Sequence, residues 1–261
     1  MRTSLLISIV ASIALPAFCQ DAKVEISLSA NGSTAGTLYK GWPLILHAVA
    51  LLDEGDQAAL GMADAPWTAA LSLRITNAAG APQTWPLEMV WSAAEPVLLK
   101  PLGEAAVFWA LPPEATSGLP VGEYTVSLTL DTRRSAADWS WVGQCRSEQV
   151  SLKVAAEPAS LEAKQEAFKA LVRARYHQLR DEPDTALSIL DEWLARNPED
   201  SAALGEKAAL LEQSGRLAEA LAAYTSAIDA FNKRFPDAIH PPRELMRNRS
   251  RLFNTLIQQQ Q

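Results

Sequence analysis

The chain has 261 residues, 48% of them hydrophobic and 20% charged, and a formal net charge of −7. This is the make-up of an ordinary globular protein, with apolar mass for two cores at roughly 100–200 residues per domain. An acidic chain is a poor ligand for nucleic acid, and the acidity is uneven: residues 20–158 carry 15 Asp/Glu against 8 Lys/Arg, whereas residues 159–261 carry 15 against 14.

Residues 1–19 read as a secretory signal. Arg2 supplies the positive start, and Leu5 to Leu15 is an apolar run too short to span a bilayer. Ala17 and Cys19 place small residues at −3 and −1 before Gln20. Cleavage before Gln20 is expected. A lipoprotein is the less favoured alternative, because Phe18 stands where a small residue normally precedes a lipidated Cys. No later stretch is long and apolar enough for a membrane span. Loss of Cys19 with the leader leaves Cys145 alone, which excludes a disulfide framework. Cys145 is expected in a loop, as an incidental thiol or an intermolecular bridge.

From Val24 onward apolar and polar residues alternate. Val24, Ile26 and Leu28 form one such set. Leu71, Leu73 and Ile75 form another, followed by Tyr124, Val126, Leu128 and Leu130, and then by Val150, Leu152 and Val154. Period two marks strands with one face buried. Trp42 to Leu52 is apolar almost throughout, which suits a central strand. Segments 84–90 and 105–111 bring the expectation to about seven antiparallel strands, separated by Gly, Pro, Asn and Asp. Seven short strands in residues 20–157 fit a two-sheet β-sandwich. Gly122-Glu-Tyr124-Thr-Val-Ser-Leu resembles the sixth strand of an immunoglobulin-like domain, though the Cys–Trp–Cys core of antibody domains is absent.

Seven of the eight Trp fall in this half, most of them expected in the core. Trp139 and Trp141 lie in a long connection, where period two puts both rings on one side of an extended segment. Such a pair is a possible aromatic platform for a sugar ring or a partner.

The composition changes at Pro158. β-branched residues thin out, and Ala, Leu, Glu, Arg and Gln take over, a mixture that favours helix. Five helices are expected: from Ser160 to about Arg180, from Pro183 to before Asn197-Pro198, from Asp200 or Ser201 to about Gln213, from Arg216 to about Phe235, and over 241–257. Gly215 supplies a left-handed stop between the third and fourth. A step of 34 residues relates Ala186 to Ala220, Ala174 to Ala208 and Leu190 to Tyr224.

That spacing, with small residues at helix crossings, resembles the tetratricopeptide (TPR) repeat. One repeat would cover about 167–200 and the next 201–234, with 241–257 as a capping helix whose apolar stripe includes Leu245, Leu252, Phe253 and Ile257. The resemblance implies a concave face that binds a peptide or protein partner. Its matching positions here are Phe168, Leu171, Arg175, Gln178, Ala202, Ala209, Glu212 and Gln213. Arg243, Arg247 and Arg251 line another face of the last helix and read as solvated, or as a patch for an acidic partner.

His47, His177 and His240 are far apart, without metal-ligand spacing. No nucleophile elbow, phosphate loop or dinucleotide fingerprint is present. The expectation is therefore a multidomain β + α chain without catalytic site, metal or cofactor: an Ig-like sandwich over 20–157 followed by a TPR-like helical module over 158–261. Its function would be that of an exported, periplasmic or secreted interaction or scaffold protein. The alternatives are a carbohydrate-binding module using Trp139 and Trp141, or an accessory subunit of an envelope enzyme complex.

Overall fold

The computed structural model describes residues 22–55, 57–95, 97–101, 103–133 and 140–259. The proposed leader and Trp139 lie outside them. Within them the chain is a mixed α+β fold, with antiparallel sheets in the first half and helices in the second.

The strands are β1 Lys23–Ala30, β2 Ala35–Tyr39, β3 Leu44–Glu54, β4 Ala58–Leu60, β5 Leu71–Asn77, β6 Pro82–Gln83, β7 Glu88–Ser92, β8 Val97–Leu99, β9 Glu104–Leu111, β10 Gly122–Asp131, β11 Gln144–Arg146 and β12 Val150–Ala155. One sheet runs β1-β3-β9-β7, and a second runs β2-β12-β10-β5-β6 with β11 beside β10. A small ladder joins β4 to β8. The two large sheets share one apolar core. Val24, Ile26 and Leu28 enter it from β1, and Val126, Leu128 and Leu130 from β10. This is the sandwich-like arrangement that the period-two pattern demands.

Twelve strands among the described residues replace the seven expected: six are only two to five residues long, too short to show a period, and of these only β7 overlaps an expected strand. One of them, β2, pairs parallel with β12, so the second sheet is not wholly antiparallel. Segment 84–90 is not one strand. Pro86 carries no N–H for a ladder, and the chain breaks there before resuming as β7. Trp42 precedes β3 and is 2% exposed.

The helices are α1 Pro113–Gly118, a short turn missed in the sequence, then α2 Ala163–Leu179, α3 Pro183–Arg196, α4 Ser201–Gln213, α5 Leu217–Arg234 and α6 Arg243–Gln259. Helix α2 begins later than Ser160: Glu162 is the cap, and Gln165 reciprocates in a capping box. Asp200 caps α4 through the N–H groups of Ala202 and Ala203, while its other oxygen accepts from Trp193 Nε1 at 2.8 Å. Asp181 (φ 60°) and Gly215 (φ 73°) take the left-handed conformation that turns one helix back on the next.

Ala174, Ala186, Ala208 and Ala220 are almost fully buried where these helices cross. Small side chains there let the backbones approach. Leu252 of α6 joins the same cluster at 1% exposure, whereas Phe253 and Ile257 face solvent. The final helix therefore covers α5 with part of its apolar surface.

A third cluster joins the two halves. Ile45 of β3 and Ala110 of β9 project from the sheet face opposite the sandwich core and meet Val172 and Tyr176 of α2. Polar ties reinforce it. Gln165 Nε2 donates to the Tyr39 hydroxyl at 2.9 Å, and Arg180 pairs with Glu88 at 3.2 Å. Lys169 pairs with Glu157 at 2.7 Å, and holds that carboxyl below its usual range. These ion pairs keep solvent contact and contribute little individually; the apolar seam carries the attachment.

Candidate functional site

Two residues along β3 from the seam, the same interface opens. The strand's period puts His47 on the same face as Ile45, and the register sets His47 opposite Phe108 of β9. Phe108 in turn opposes Trp91 of β7, where a bulge after Met89 shifts the register. The result is an aromatic row across three strands. The His47 and Phe108 rings stack at 4.2 Å with 1° between their planes, and Trp91 meets Phe108 edge-on at 5.8 Å. Trp91 is 48% exposed.

Helices α2, α4, α5 and α6 form the other walls of a groove of about 830 Å³. Phe168, Leu171 and Arg175 descend from α2 at helical spacing. Glu206, Ala209 and Gln213 come from α4, Phe231 from α5, and Leu245 and Asn248 from α6. At the strand end Asn31 closes the groove. It holds a left-handed backbone (φ 48°), and its side chain accepts from Ile45 N at 2.8 Å and donates to Pro43 O at 3.2 Å. Asn tolerates that conformation better than bulkier residues do.

Arg175 sits centrally. Its guanidinium carbon is 5.5 Å from the Phe108 ring centre, and Nη1 donates to Gln178 Oε1 at 2.6 Å; Gln178 Nε2 then donates to Gln213 Oε1 at 2.7 Å. Two titrating groups respond to it. Burial pushes the His47 pKa down and the Arg175 charge pushes the same way, against Glu104. Crowding by the groove walls raises the Glu206 carboxyl, opposed by Arg175 and aided by Glu244. Solvent still reaches Glu206. His47 makes no hydrogen bond to another described side chain; its ring is held by stacking on Phe108. Among the described residues no group of three His, Cys, Asp or Glu is arranged to hold a metal ion.

Of the partner-face residues named from the sequence, Phe168, Leu171, Arg175, Gln178, Ala202, Ala209 and Gln213 line this groove. Glu212 does not. It accepts from the Tyr224 hydroxyl at 3.3 Å and pairs with Arg251, tying α4 to α5 and α6. The Tyr224 pKa is pushed up to about 12 by burial and by Glu212.

The aromatic platform is corrected. Trp141 is 6% exposed, and its Nε1 donates to Ala22 O at 2.9 Å, so it is a core residue rather than a stacking surface. Cys145 lies in β11 rather than a loop, and burial raises its thiol to about 11. The sheet side of the groove, His47 and Phe108, was missed. The signal available was the near-continuous apolar run of β3, which marks a strand covered on both faces.

No family model and no curated protein matches the chain. Solved structures with some likeness include a family 123 glycoside hydrolase from Clostridium perfringens. It is 8% identical with a TM-score of 0.30, and the match covers 53% of this chain and 28% of that one. A second is AvmM, which catalyzes macrocyclization in alchivemycin A biosynthesis: 10% identity, TM-score 0.27, 55% of this chain and 93% of that one. A third is BcpA, the major pilin subunit of Bacillus cereus: 14% identity, TM-score 0.22, 51% and 40%. The chain thus spans under a third of the hydrolase.

With no family model matching, the tetratricopeptide membership read from residues 167–234 does not stand, nor does the immunoglobulin-like one. The physical reason is that buried alanines are what any close antiparallel helix pair requires. The four helices, moreover, are 17, 14, 13 and 18 residues long, not two copies of one unit. No helix among the described residues is long and apolar enough to cross a membrane.

Proposed function

We propose that the chain is a binding protein that holds a segment of a partner protein in the groove between the β1-β3-β9-β7 sheet and the helices. The supporting observation is the groove itself, an open space of about 830 Å³ with walls from both halves of the chain. Its apolar walls, Phe108, Phe168, Leu171 and Leu245, suit side chains of a bound segment. The amides of Gln213 and Asn248 suit its backbone; those of Asn31 and Gln178 are bonded within the chain. This mixture of apolar lining and a few convergent polar groups is what ligand sites use.

The division into domains over 20–157 and 158–261 belongs to the same reading, supported by separate apolar clusters in the two halves. So does export, on the strength of residues 1–19; intact-mass measurement on envelope protein should find an N-terminus near Gln20. A photo-crosslinking residue at Gln178 in the living cell tests the groove directly. A discrete partner adduct is expected at 178 and not at Val121, which is 64% exposed away from the groove. No adduct at 178, or the same adducts at both sites, contradicts the proposal.

A further inference from the structure

The charge inside the groove narrows the class of occupant. Arg175 is half-buried, and its guanidinium has five donors in a planar fork. One of them is used, on Gln178. No carboxylate of another described residue lies within 4.0 Å of it, as is also true of Lys164 and Arg173 on α2, whereas Lys169 of α2 and Arg180 just past its end each have an ion-pair partner. Its guanidinium carbon lies 5.5 Å from the Phe108 ring centre, at the wall of the groove. A partly desolvated guanidinium held in this way is a receptor for a carboxylate. The opposite wall sets a limit. Glu206 and Glu244 also border the groove and oppose any negative charge that Arg175 does not pair directly. The aromatic row beside Arg175 offers an uncovered ring at Trp91 for a flat or apolar side chain.

Resting on the reading of the groove as a protein-binding surface, we propose that its occupant is an extended peptide segment with one acidic side chain, paired by Arg175, and an aromatic or proline residue beside it that packs on the Phe108–Trp91 row. The segment carries a single acid, not an acidic run.

Selection of a random phage-displayed dodecapeptide library on the immobilised full chain tests this. Enriched peptides should share one Asp or Glu at a fixed distance from an aromatic or proline residue. Amidation of that acid in a synthetic copy (Glu→Gln or Asp→Asn) should weaken binding roughly tenfold to a hundredfold, the range for a charge-assisted hydrogen bond. Arg175→Gln should lose the same factor for the acidic peptide and almost nothing for its amide form, a double-mutant coupling that mere loss of folding does not produce. Trp91→Ala, a change at a half-exposed residue, should weaken both forms equally. No enrichment at all overturns the groove as a peptide site, and with it this inference. Enrichment without an acid, or an acid indifferent to Arg175→Gln, overturns the inference and leaves the groove reading standing. Equal binding of free acetate-bearing small molecules and of the peptide would show a carboxylate site not specific to protein, and would also overturn it.

Discussion

Two stretches of one interface, about 7 Å apart along β3 at the usual rise per residue, behave in opposite ways. At Ile45 and Ala110 the sheet meets α2 directly. At His47 and Phe108 the same helix keeps contact only through the Arg175 guanidinium over the Phe108 ring, and the groove opens beside that contact. The difference lies in side-chain size and polarity. Ala110 is small and Val172 compact, so helix and sheet pack directly and bury both side chains. One helical turn away Arg175 and Phe108 are bulky, and Arg175 must keep its charge solvated or paired. The space of the groove is left next to that contact. Closure and opening are thus written into alternate residues of the same elements, and the seam supplies the rigidity that a preformed groove needs.

The sharpest way to break this comparison is to exchange stability effects between the two stretches. Tyr176→Ala removes a large side chain that is 6% exposed. It should cost about 3–5 kcal/mol by denaturant melting, whereas Arg175→Gln, one residue earlier, should change stability by no more than about 0.5 kcal/mol. Comparable losses would mean that the groove residues are part of the packing. On α6 the same contrast holds. Leu252→Ala should cost about 2–5 kcal/mol, while Phe253→Ala, at a residue 53% exposed, should be nearly silent. Similar melting curves for the two variants would show that α6 does not pack as described.

Helix crossings give a smaller, sharper test. Ala186→Leu overpacks a site with no exposure and should cost about 1–3 kcal/mol, with Ala223→Leu, half-buried on α5, costing less. The smallest effect expected is a pH slope from His47. Its folded pKa lies below 6.5, so as pH falls the unfolded chain takes up the proton first. The stability linked to neutral His47 is complete above pH 6.5 and is lost as pH falls toward the folded value. Urea titrations at pH 7 and pH 5 should show a smaller drop for His47→Gln than for the unaltered chain; an equal or larger drop would assign the slope to other groups.

How much of this could be read from the sequence depends on the length of each element. Long strands such as β1 and β10 announce themselves by alternation, and α3 and α4 by Pro183, Asp200 and Gly215. Short strands do not, because three residues cannot display a period, and a parallel partner such as β2 leaves no local mark. The helical wall of the groove was readable from the faces of α2 and α4. Its sheet wall was not, since one sequence does not say which helix covers the second face of β3. Trp141 misled for a related reason: period two gives its side of an extended segment, but not whether that side faces solvent. Glu212 has helical spacing suited to the groove, yet Tyr224 and Arg251 draw it inward, and those contacts exist only after three helices have assembled.

The central claim is that partner binding belongs to the open stretch and folding to the closed one. Hydrogen exchange of the full chain, with and without a library-selected peptide, tests it most directly. Added protection should concentrate in residues 168–178 and 201–213 and along β3 and β9, with Tyr176 and its sheet contacts already slow in the free protein. Protection confined to the outer face of α6 or to β2, with the groove segments unchanged, would contradict the account.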